Sequence, residues 1–97
     1  MKWPVAAIGL GLASVVAAQA YRLPEETPVT LPRGTGVELV EAHCSACHSL
    51  DYLTTQPRGK GQTFWAENVA KMIDTHGAEI PEDDAKVIVA YLGRTFG

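Results

Sequence analysis

Apolar positions in this chain recur at helical spacing, and three stretches carry the pattern. In the first, Val37, Val40, Cys44 and Cys47 fall at i, i+3, i+7 and i+10, while Glu38 and Glu41 fall on the opposite, solvent side. That spacing predicts a helix from near Gly36, with Thr35 placed to cap it. Ser49-Leu50-Asp51-Tyr52-Leu53 is expected to form one short helical turn. Gln56 to Gly61, interrupted by Pro57, Gly59 and Gly61, is expected to be a loop. A second helix is predicted from about Thr63 to Thr75, with Phe64, Val69, Met72 and Ile73 on its apolar side and Gly77 as the glycine that ends it. Pro81 suits the first position of a third helix, with Glu82, Asp83 and Asp84 in its first turn against the positive dipole end. Ala85, Ile88, Tyr91 and Leu92 form its expected buried stripe. With no period-two alternation and no internal repeat, the pattern predicts a small all-α domain of three main helices.

Upstream of Gly36 the pattern changes. Tyr21 to Thr35 carries Pro24, Pro28, Pro32 and Gly34 and few large apolar groups, so it reads as an extended arm. Such an arm is either a disordered tail or a strap that lies on a partner subunit. Lys2, the uncharged run Val5 to Ala18 and the Ala18-Gln19-Ala20 site have the form of a secretory signal peptide cleaved after Ala20. An uncleaved anchor is disfavoured because the run is short against the roughly 20 residues of a membrane span. The expected organisation is therefore residues 1–20 as signal peptide, 21–35 as Pro-rich arm and 36–97 as the helical domain, in the periplasm and off the membrane after cleavage.

One domain of this size buries a small core and is marginal by itself. The formal net charge is −3, and loss of Lys2 makes the mature chain one unit more negative. An acidic chain is a poor partner for nucleic acid or anionic lipid and suits a basic protein surface.

The candidate chemistry is concentrated in Cys44-Ser45-Ala46-Cys47-His48, a C-x-x-C-H run that contains both cysteines of the chain. This pattern is that of a covalent c-type haem attachment site. On a helical turn Cys44 and Cys47 share one side, about 5–6 Å apart at Cβ, so both sulfurs can meet the haem vinyl groups. His48 follows as the proximal iron ligand. Such a haem would supply much of the missing apolar core, and the apo-chain is expected to be largely unfolded.

Three other uses of these residues are weaker. A Cys44–Cys47 disulfide would close a very short loop. A thioredoxin-type redox pair belongs in a βαβ setting. A structural zinc site needs four ligands around one metal, whereas His43, Cys44, Cys47 and His48 are all local and His76 is the sole remaining histidine.

For the sixth position, Met72 is the sole methionine after Ala20, and His/Met ligation is the electron-carrier arrangement that raises the potential. His76, one helical turn further on, is the competitor; His43 is badly placed to reach the distal side. The Pro57 carbonyl is a reasonable acceptor for the His48 Nδ1–H. Arg58 and Lys60 can pair with haem propionates, although a solvated charge is the plainer role for Lys60.

The haem motif, the helix order and the methionine on a helix resemble class I cytochrome c. Several stretches are similar, more narrowly, to the small cytochrome subunit of periplasmic sulfite dehydrogenase. These are Tyr21-Arg22-Leu23-Pro24-Glu25-Glu26-Thr27, Cys44 through Tyr52, Thr55-Gln56-Pro57-Arg58-Gly59, Phe64-Trp65 running on to Lys71-Met72, and Ala85 to Leu92 with Phe96-Gly97. Glu79 departs from the proline expected in the family's Gly-Ala-Pro-type turn.

The resemblance implies a cytochrome fold around one covalent haem, held by Cys44 and Cys47 with His48 proximal and Met72 distal. It also implies a molybdenum-containing sulfite-oxidising partner, a downstream soluble cytochrome c or oxidase, and no substrate chemistry in this chain. Tyr52, Arg58 and Trp65 are candidates for the haem edge or docking face. A free-standing carrier with other donors is the alternative, and a haem enzyme or gas sensor would require an open sixth position.

Overall fold

The computed structural model describes residues 1–5, 9, 11 and 18–97; most of the expected signal-peptide run lies outside the described residues. Four helices follow in order: α1 Val37–Cys44, α2 Asp51–Thr54, α3 Gly61–Asp74 and α4 Glu82–Phe96. The described residues contain no strand, so the domain is all-α. Among them no helix is long and apolar enough to cross a membrane.

α4 is the central element and packs on both α3 and α1. Its buried side chains are Ile88, Tyr91, Leu92 and Phe96, spaced three and four apart along one face. Glu82, Asp83 and Asp84 occupy the first turn, as expected, but Pro81 is the residue before the helix and is extended at φ −55°, ψ 146°. Val37 and Val40 of α1 and Trp65 and Val69 of α3 complete the core, with Leu53 from α2. The aromatic part is a chain of tilted and edge-on rings: Trp65 lies 5.9 Å from Phe96 and Phe96 lies 6.4 Å from Tyr91.

α1 starts differently from the expectation. Gly36, not Thr35, stands at its N-terminus, with φ +93° and no side-chain cap. The glycine is required twice. Its backbone angle is the left-handed one, and a Cβ there would lie 2.7 Å from Val87 Cγ1 of α4. Loss of the cap is exchanged for close approach of α1 to α4.

The arm divides into two parts. Leu31 is 1 % exposed and belongs to the core, and Val29 packs against it. Tyr91 Oη donates to the Pro32 carbonyl at 2.7 Å, and Arg94 donates to the Thr35 carbonyl at 2.9 Å. Arg33 pairs with Glu41 of α1. Residues 29–35 are thus part of the helical domain, and the packing boundary falls near Pro28 and not at Thr35. Upstream of it Tyr21 and Leu23 are largely exposed to solvent.

Candidate functional site

α1 ends at Cys44, so Cys47 lies in the turn after it, and the predicted helical stripe stops one turn early. Cys44 is half-buried and Cys47 exposed; both are free thiols. The chain then turns through His48 and Ser49 into α2. Asp51 N–H donates to Ser49 Oγ at 3.3 Å, which fixes the entry into that short helix.

His48 is held from two sides. Its Nδ1 lies 2.9 Å from the Ser49 carbonyl oxygen. A carbonyl only accepts, so Nδ1 carries the proton and Nε2 is left with its lone pair. The Tyr52 ring packs on the imidazole, centroid to centroid 4.8 Å. The partner of Nδ1 is therefore Ser49 and not the expected Pro57 carbonyl. Ser49 is adjacent in the chain, whereas Pro57 is exposed in the following loop. Arg58 is also accounted for elsewhere: its guanidinium lies over the Phe96 ring, 5.1 Å from the centroid, a favourable seat for a delocalised cation. Neither Pro57 nor Arg58 lines the cavities described next.

Cys47, His48, Tyr52, Met72 and His76 line one open cleft of about 530 Å³. A smaller hollow of about 40 Å³ adjoins it, sharing His48, Tyr52 and Met72 and reaching Cys44 and Trp65. The motif residues and the two candidate distal ligands, far apart in sequence, thus face a common slot between the α1–α2 segment and α3. His43 faces away from it, with Nε2 3.1 Å from Asp84 Oδ2 at the start of α4.

The walls decide what this slot suits. Burial, reinforced by Cys47, pushes the Cys44 thiol up to about 11. A reactive redox thiol needs the opposite shift. No group of three or more His, Cys, Asp or Glu side chains among the described residues is arranged to hold a metal ion by itself. Trp65 Nε1 is buried without a hydrogen-bond partner, an arrangement that calls for an acceptor. Apolar walls, an imidazole nitrogen, a thioether and two cysteine sulfurs fit a haem with thioether attachment. The cleft volume lies in the ordinary range of small-molecule sites, roughly 300–1,000 Å³.

Trp65 is the residue whose importance the predicted stripe of α3 missed. The signal was present: Trp65, Val69 and Met72 fall at i, i+4 and i+7, the same face that carries Met72 into the slot.

Compared with known proteins, the chain matches no family model and no curated relative.

Proposed function

We propose that this chain is a mono-haem c-type cytochrome of the periplasm that transfers single electrons, and that it serves as the electron-accepting subunit of a molybdenum-containing sulfite dehydrogenase. The observation that carries the haem reading is the common slot: Cys47, His48 and Met72 line one cleft, and Cys44 lines a hollow that shares His48, Tyr52 and Met72 with it. The sulfite part is supported by the sequence resemblance alone.

A bound haem would supply one reversible one-electron acceptor. The chain's own residues bind, orient and shield it. Cys44 and Cys47 would hold it covalently. His48 would present Nε2 to the iron, kept in that tautomer by the Ser49 carbonyl. Met72 would give the iron a thioether ligand, a donor that raises the potential. Trp65 lines the hollow, and its buried Nε1 has no hydrogen-bond partner among the described residues. Tyr52, partly exposed, lines the cleft and packs on the His48 imidazole.

The docked part of the arm bears on the second reading, a free-standing carrier. Leu31 in the core and the hydrogen bonds to the Pro32 and Thr35 carbonyls tie residues 29–35 to the chain's own helices, which leaves Tyr21–Pro28 as the segment best able to reach a partner. The test is made on protein purified gently from the native periplasm, with sulfite added to the oxidised form. Rapid reduction of the haem bands, with a molybdenum subunit co-purifying, supports the sulfite dehydrogenase role. Reduction by a mild general reductant alone, with no co-purifying subunit, leaves the free-standing carrier and removes the sulfite assignment.

A further inference from the structure

We propose that His76 is a reserve iron ligand, able to take the sixth position when the Met72 thioether is lost. The inference rests on the haem reading above.

Three observations place His76 apart from the other histidines. His48 is the proximal ligand, and His43 is engaged with Asp84. His76 is exposed, lines the same cleft as Met72, and no side-chain hydrogen bond ties its ring among the described residues.

The backbone around it is suited to a small adjustment. α3 ends at Asp74, so His76 lies beyond the helix proper. Gly77 follows with φ +71° and open space around its Cβ position. At the same time Ala78 N–H donates to the Met72 carbonyl at 2.8 Å, and His76 N–H donates to the Lys71 carbonyl at 3.3 Å. The turn that carries His76 is thereby held to the backbone of Met72 itself. The imidazole is kept on the cleft that Met72 lines. Imidazole is a strong donor to ferric iron, and truncation of Met72 makes room in the cleft that both side chains line.

The test compares holo-proteins carrying Met72→Leu, Met72→Ala, His76→Ala and Met72→Leu with His76→Ala. Leucine nearly conserves the volume of methionine, and helical circular dichroism reports the fold of each. Covalent haem content is measured first; its absence from the wild type sinks the haem reading itself.

With haem present, the wild type and His76→Ala should keep the weak far-red sulfur-to-iron band. Met72→Ala, and Met72→Leu where the side chain leaves room, should lose that band, stay low-spin with a lowered potential, and bind carbon monoxide slowly. The double variant should be high-spin and bind carbon monoxide at once. If both single Met72 variants are high-spin and bind carbon monoxide as fast as the double variant, His76 does not reach the iron and the proposal is wrong. It is equally overturned if the wild type lacks the far-red band and His76→Ala alone turns it high-spin, because His76 is then the resident ligand.

Discussion

At the scale of single residues, Tyr91 and Trp65 are the two side chains whose polar atoms matter most. Tyr91 is buried, and its hydroxyl donates to the Pro32 carbonyl. Burial, the largest influence, pushes its phenol above the ordinary value. A raised folded-state value means that the neutral form is the one favoured by folding. Its contribution is complete below the unfolded value of about 10 and is lost as pH rises through the higher folded value. Chemical denaturation from neutral to strongly alkaline pH should therefore show a fall in stability above about pH 10 that is reduced in Tyr91→Phe. At neutral pH that variant should be less stable by about 1 kcal/mol, the worth of one hydrogen bond. Trp65→Phe keeps the ring but removes the orphan N–H. The variant is expected to fold, retain its haem and show a shifted reduction potential; an unchanged potential in protein-film voltammetry would separate Trp65 Nε1 from the haem. Gly36→Ala introduces a methyl against Val87 at a left-handed position and should cost about 1–3 kcal/mol in thermal or urea unfolding.

At the scale of elements, the arm and α1 carry the argument. Relative to a chain that begins at Tyr21, a variant that begins at Val29 lacks only the exposed residues 21–28 and should unfold at the same denaturant midpoint. One that begins at Arg33 also removes Leu31 and the acceptor of Tyr91, and should lose about 2–5 kcal/mol on the scale of a buried large-to-small change. Loss of a stable partner complex in the first variant would assign the exposed half to docking. The helices themselves were legible because α3 and α4 repeat apolar residues over several turns, with acidic residues and Gly77 at their ends. The start of α1 was not, because the preference for Gly36 over a Thr35 cap comes from the proximity of Val87, some fifty residues away. The docked half of the arm was hidden for a similar reason. A single leucine among prolines has no periodicity, and its burial depends on Tyr91 and Arg94 of the last helix.

At the scale of the whole molecule, the candidate site was readable in its chemistry and not in its details. Cys44, Cys47 and His48 are fixed by a local motif, and Met72 and His76 are found in the same cleft as Cys47 and His48. The roles expected for Pro57 and Arg58 depend on which of several nearby acceptors and rings a flexible side chain selects. Here Ser49 and Phe96 are the nearer partners. The core is small and is drawn from all four helices and the arm, while the slot cuts between the attachment segment and α3. Filling that slot with a covalently held apolar group is the account's central claim, and it is tested most directly by intact-mass measurement under denaturing conditions on protein exported in a host that matures c-type cytochromes. The account predicts a single species, Tyr21–Gly97 plus the mass of one haem, with the added mass lost when Cys44 and Cys47 are both replaced by alanine. A mass equal to the chain alone, or a haem that leaves on denaturation, would contradict it.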